Sequence, residues 1–230
     1  MLRAVLFDAG DTLFRVRGSV GDAYAEMAAR HGVLVAPRNI EPRFRAAFRQ
    51  MPPLAFPDTP PEQIERREYE WWKGLVGTVF SGEQFADFDA FFRDLFDYFA
   101  EARAWTLFPD VPPTLTALRA RDVRMALVSN LDGRLVPICQ GLGLAGTFDT
   151  IVMSARVGFA KPDPRIFECA VQRLGVERAA TVHVGDSERE DLDGARAAGL
   201  RALLIRRETA VPDAHTVSDL RQLVERVDTW

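Results

Sequence analysis

The chain has 230 residues and a formal net charge of −4, with 29 Lys and Arg against 33 Asp and Glu. Nucleic acid and anionic membrane both demand a basic excess, so neither is its expected partner. Nearly half of the chain, 47%, is apolar, which supports a real core and excludes a disordered chain. Met1 to Asp8 carries a β-branched and aromatic run that stops at an acid, the pattern of a buried strand. That run is too short for a signal peptide, and no stretch reaches the ~20 apolar residues of a membrane span, so a cytoplasmic protein is expected.

From about Val16 to Ala104 strand signals are sparse and amphipathic stretches dominate, such as Pro61–Val79 and Glu83–Arg103. The second stretch holds Phe85, Phe88, Phe91, Phe92, Phe96, Tyr98 and Phe99, whose spacings of three and four predict a helix face packed on other helices. Between these helices, the Pro-rich segment Met51 to Pro61 reads as a loop. From residue 123 the pattern becomes short apolar run, turn, helix, with strands predicted at Val123–Val128, Thr150–Met153, Thr181–Val184 and Arg201–Ile205. Helices are predicted near 133–142, 164–175 and 188–198, and a last one over Val217–Val227. Continuous apolar strands alternating with helices predict an α/β fold, a doubly wound parallel sheet covered on both faces. A helical subdomain, 16–104, is then inserted into a core formed by 1–15 and 105–230. Cys139 and Cys169 lie in apolar helical contexts and read as buried free thiols.

In open parallel sheets, ligands bind beyond the C-terminal strand ends. There the first strand delivers Asp8-Ala9-Gly10-Asp11-Thr12, the second Ser129-Asn130, the third Lys161-Pro162-Asp163, and the fourth Gly185-Asp186-Ser187. One acid after a strand is usually a helix cap or turn former. A carboxylate, hydroxyl or cation from each of four strands in turn is hard to explain by capping alone, and it suits phosphoryl transfer to a carboxylate. In that reading Asp8 is the nucleophile, and Asp186 and Asp191 join it in holding Mg2+, which favours a few carboxylates plus water and substrate oxygens. Ser129 gives its hydroxyl to a phosphate oxygen, and Asn130 lies beside it on the substrate side. Lys161 supplies a compact positive charge and orients the nucleophile. It is one of only two lysines, with Lys73, among 27 arginines, and this role would explain its survival.

These segments resemble the haloacid dehalogenase superfamily, in the branch with a helical cap between the first and second motifs. Phe7-Asp8 with Thr12-Leu13 is similar to motif one, Ser129-Asn130 to motif two, Gly158 through Phe167 to motif three, and Val184 through Gly199 to motif four. The resemblance implies a Rossmann-like core, a Mg2+ cofactor, and phosphatase activity on a small phosphorylated compound. One departure stands out. Phosphatases of the superfamily usually read Asp-x-Asp-Gly-Thr, with the second Asp as general acid and base, and here Gly10 takes that position. The equivalent position also offers a backbone carbonyl to the metal, which Gly10 could still do. Asp11 comes one residue late, and on extended backbone its side chain would face the other way. It is the candidate substitute acid, against a turn or capping role.

Dehalogenases of the superfamily also lack the second acid, but they work without metal, whereas Asp186 and Asp191 read as a metal pair. A non-catalytic module binding a phosphometabolite or a protein is a further alternative, supported only by the lost acid. Gly141 through Gly146 matches G-x-G-x-x-G, yet a helix precedes it and a strand follows, the reverse of a dinucleotide fingerprint. His183 reads as a packed core histidine. At most one of Trp71 and Trp72 need line the site, and Arg17 and Lys73 read as surface positions.

Overall fold

The computed structural model describes residues 2–208 and 214–227. Met1, included above in the first strand, lies outside them. A six-stranded parallel sheet runs in the order β5-β4-β1-β6-β7-β8. Its strands are β1 (Ala4–Phe7), β4 (Arg124–Ser129), β5 (Thr150–Met153), β6 (Thr181–Gly185), β7 (Arg201–Ile205) and β8 (Thr216–Val217). The chain builds outward from β1 to β5 and then returns to the other edge of β1 with β6, so the topological switch falls at β1. Phe7 is level with Leu127 on β4 and Val184 on β6, which brings three C-terminal strand ends to one edge.

The strands read as continuous apolar runs because both faces are covered. Val5, Phe7, Met125, Leu127, Val182 and Val184 face one cluster with α5 (Val111–Arg119), α6 (Leu135–Gly141) and α10 (Arg221–Val227). Ala4, Leu6, Ala126 and Val128 face another, with α8 (Pro164–Leu174) and α9 (Gly194–Ala197). The fold is a Rossmann-like α/β sheet with an inserted helical subdomain. The short helix α7 (Ser154–Val157) follows β5 directly.

The inserted helices are α1 (Val20–Arg30), α2 (Pro37–Gln50), α3 (Pro61–Val79) and α4 (Phe88–Tyr98). They lie in the chain between β2 (Phe14–Val16) and β3 (Trp105–Leu107), which pair as an antiparallel ribbon. The helix expected over Glu83–Arg103 is shorter. Asp87 has extended backbone and its carboxylate accepts the Ala90 N–H at 2.9 Å, so the helix starts at Phe88. Phe91, Phe92 and Leu95 are at most 1% exposed, each side chain contributing roughly 1.5–3 kcal/mol by burial.

The last predicted helix also begins later. Thr216 and Val217 pair with Leu204 and Ile205 as an edge strand, and Asp219 then accepts the Arg221 N–H to start α10. Β-branching and a buried partner strand outweigh helical periodicity there. Cys139 is buried, its thiol pushed up to about 12 by burial, whereas Cys169 is only half-buried. Among the described residues, no helix is long and apolar enough to cross a membrane.

Candidate active site at the β1 switch point

Asp8 follows β1 directly and is 6% exposed. Lys161 Nζ donates to Asp8 Oδ1 at 2.6 Å, and Thr12 Oγ1 donates to Asp8 Oδ2 at 3.1 Å, which fixes the rotation of the carboxylate. Lys161 Nζ also donates to Asp191 Oδ1 at 2.6 Å. Asn130 holds the backbone at Lys161: its Oδ1 accepts the Lys161 N–H at 2.7 Å and its Nδ2 donates to the Lys161 carbonyl at 3.0 Å. The same Nδ2 donates to Glu190 Oε2 at 3.0 Å. The Asn130 amide is thus engaged by the loop that carries the lysine.

Asp191 reaches the cluster through a π-helical turn, Glu188–Asp193, capped by Ser187. The turn folds its side chain back against the end of β6, where a Cβ on Gly185 would lie 2.1 Å from Asp191 Cγ. Glycine is therefore required at 185. Asp191 Oδ2 accepts the Ser187 N–H at 3.0 Å, and Oδ1 meets His183 Nε2 at 2.8 Å. His183 is wholly buried and packed edge-on to Phe167. A carboxylate only accepts, so Nε2 carries the proton, and Nδ1 is left buried without a partner among the described residues. The expectation of a packed histidine captures its burial but not its bond to Asp191.

One ammonium here serves two carboxylates, and their acidities diverge. Burial opposes the charge of Asp191, but Lys161 and His183 hold its carboxyl well below the usual range. Burial raises the Asp8 carboxyl and Asp191 adds to that, with Lys161 opposing. Lys161 is itself held above its ordinary value: burial works against its charge, and the two carboxylates outweigh it. Asp186 is pushed up to about 7, first by burial and then by Asp8, Asp191 and Asp11. Arg206 donates to its backbone carbonyl and holds the loop in place. Oxygens of Asp8, Asp186 and Asp191 all lie within 4.8 Å of one another. Three oxygen donors with more negative charge than the local cation neutralises form a donor set that fits a hard divalent ion such as Mg2+.

Ser129 ends β4 beside β1 and is buried. Gly10 has ordinary backbone, and a Cβ built there meets nothing within 4 Å. Asp11 departs from the expectation: its φ is +54°, left-handed rather than extended, and its N–H donates to the Phe14 carbonyl at 2.8 Å. Side-chain alternation along a strand therefore does not apply to it. Asp11 sits at the rim, where partial burial of its carboxyl raises it and the charges of Arg15 and Arg207 oppose that rise.

Of the other candidates, Trp71 packs into the helical core and donates to the Pro52 carbonyl at 2.9 Å. Trp72 instead donates to Asp132 beyond the Ser129-Asn130 loop. Arg17 donates to the carbonyls of Arg103 and Trp105. Lys73 pairs with Asp89 at 2.7 Å. Gly143 and Gly146 occupy left-handed turn positions. Glu190 is a site neighbour that sequence reasoning did not single out, while Thr12 entered it only within motif one and His183 only as a packed residue. Only Thr12 had a visible signal, four residues after Asp8 within motif one.

A family model described as haloacid dehalogenase-like hydrolase matches residues 2–199. The chain is 34% identical to the mouse (Mus musculus) haloacid dehalogenase-like hydrolase domain-containing protein 3, over 99% of this chain and 94% of that protein. It is 36% identical to a phosphoserine phosphatase of Thermus thermophilus, over 54% of this chain and 50% of that protein. A haloacid dehalogenase-type phosphatase structure from Thermococcus onnurineus superposes with a TM-score of 0.66 at 23% identity, covering 97% of each chain.

Proposed function

The chain belongs to the haloacid dehalogenase-like hydrolases, and from that premise we propose that it is a Mg2+-dependent phosphohydrolase acting on a small phosphorylated compound through an aspartyl-phosphate on Asp8. The observation that carries this reading is the buried triad of Asp8, Lys161 and Asp191 with Asp186 beside it, a nucleophile already oriented and a local excess of negative charge. Phosphatases among the relatives support the same class. The helical segment 16–104 serves as the cap that excludes water.

An Asp8 oxygen attacks phosphorus, the bond to the leaving oxygen breaks with its electron pair on that oxygen, and water later cleaves the acyl phosphate. Lys161 and Thr12 hold the Asp8 carboxylate in a fixed orientation through the attack. Ser129 donates its hydroxyl to a phosphoryl oxygen, and donors aimed where charge develops stabilise the transition state. Asn130, through its clamp on the Lys161 backbone, acts as a positioning residue on the substrate side. Asp8, Asp186 and Asp191, with the Gly10 carbonyl, would hold Mg2+, which supplies neutralising charge for the phosphate and the carboxylates.

Gly10 leaves the usual acid position without a proton donor, so leaving groups that depart unaided are favoured. Asp11 stands near enough to raise the Asp186 carboxyl and is the one candidate for a partial substitute. The test is turnover of 4-nitrophenyl phosphate. We expect it to require Mg2+, to stop with a chelator, and to fall at least about 10⁴-fold in Asp8→Asn. Metal-independent turnover, or an active Asp8→Asn, would refute the reading. A folded, Mg2+-binding protein without turnover would favour a non-catalytic binding module instead.

A further inference from the structure

Directly after Ser129 and Asn130, the chain forms one wall of a cavity of about 110 Å³ between the sheet core and the inserted helices. Leu131 and Asp132 continue from the loop that clamps Lys161, so the cavity starts within two residues of the proposed phosphate site. Trp72, Phe96, Phe99 and Trp105 contribute aromatic walls. Its charged groups cancel each other. Arg134 pairs with Asp132 at 2.7 and 3.0 Å, and its guanidinium lies 4.0 Å from the Phe96 ring centre and 4.7 Å from that of Trp72. Trp72 Nε1 donates to the same carboxylate. No net charge is left to recognise a charged substrate body. The remaining polar feature is the hydroxyl of Tyr24, which is 3% exposed and lines the cavity.

The size is on the order of a cavity of ~150 Å³ that accepts benzene. A pocket with aromatic walls and no net charge selects an aromatic ring. A second, independent observation points the same way. With glycine at position 10, no acid stands at the usual place to protonate the leaving oxygen. A phenol has a pKa near that of tyrosine, ~10, and leaves as phenolate, taking its proton from water afterwards. An alkanol cannot do so readily.

We infer that this cavity is the leaving-group site and that the substrates are phosphate monoesters of aromatic alcohols. The inference rests on the phosphohydrolase reading above. During attack by Asp8, the bond between phosphorus and the ring oxygen breaks, and the electron pair stays on the phenolate in the cavity.

Phenyl phosphate and acetyl phosphate form the decisive pair, because both can leave without an acid but only one carries a ring. Val20 lines the cavity from the first residue of α1. Val20→Phe is expected to lower kcat/KM for phenyl phosphate about tenfold or more, mainly through KM, and to change acetyl phosphate less than about twofold. Equal effects on both compounds in a variant that keeps the parent's melting temperature, or no effect on either, would overturn the inference. A measurement on the unmodified protein guards against a misfolded variant. Calorimetry with Mg2+ present should show phenylphosphonate binding about tenfold tighter than methylphosphonate, and equal affinities would overturn the assignment. Turnover of neither ester by the unmodified protein would refute the hydrolase reading itself, and this inference with it.

Discussion

The two regions that meet at Ser129-Asn130 solve opposite electrostatic problems. At the end of β1, Asp8, Asp191 and Lys161 sit within hydrogen-bond distance at no more than 6% exposure, and Asp186 beside them adds charge that the lysine does not cancel. In the cavity next door, Arg134 and Asp132 pair with each other, and aromatic rings cover the guanidinium. A site with uncancelled charge is poised for a metal and a phosphate. A site with cancelled charge is poised for packing. Substitutions in the first should therefore act on the chemical step, and those in the second on which substrate is held.

The sharpest way to break this contrast is Lys161→Arg. It keeps the charge, but a planar guanidinium cannot reach two carboxylate oxygens at 2.6 Å from one nitrogen in a site sized for an ammonium. A loss of about 10²–10³-fold in kcat is expected in steady-state assays, and near-normal turnover would remove the argument from geometry. The rarity of lysine in this chain acquires its meaning there, since Lys73 only makes a surface pair with Asp89.

Gly10→Asp tests the missing acid from the other side. Its Cβ would enter open space, so the variant should fold, and an alkyl phosphate should gain about tenfold or more in kcat while aryl phosphates change little. Asp11→Asn in the parent should alter aryl phosphate turnover only slightly. A large loss there would assign the acid role to Asp11.

The smallest expected effect is thermal. Asp186 has its carboxyl raised to about 7 in the folded chain from the ordinary 3.8. The unfolded chain then releases this proton first, so stability falls as pH rises from about 4 to 7 and the penalty is complete above that. Asp186→Asn should melt about 2–4 °C higher than the parent at pH 8 without metal, and should lose the parent's stabilisation by Mg2+. A lower melting temperature for the variant at pH 8 would show that the carboxylates do not repel one another.

Strands β5 and β7 could be read from the sequence with their observed bounds, because apolar runs buried on both faces carry their own signature. The same holds for α3, whose amphipathic run starts after Pro60 and ends at Val79. Strands β2 and β3 could not, since three residues each carry little pattern and they pair across about 90 intervening positions. Val217 likewise looked helical until Ile205 came alongside it. At the site, Asp8, Ser129 and Asp186 were visible as residues because each stands at a strand end, whereas Lys161 lies in the loop after α7 and Asp191 in the π-helical turn after β6. The left-handed backbone at Asp11 was not visible, because a bond from its N–H to Phe14 sets it.

The chain by itself determined the succession of strands and helices, the chemistry carried at each strand end, and the glycine where an acid is usual. All of these are local properties of residue type and period. Only the tertiary structure decided that one lysine bridges two carboxylates, that His183 braces Asp191 from inside β6, and that helices from the insertion close an aromatic cavity against the loop after β4. Those features depend on contacts between residues far apart in the chain, and such contacts exist only once the core and the helices have packed.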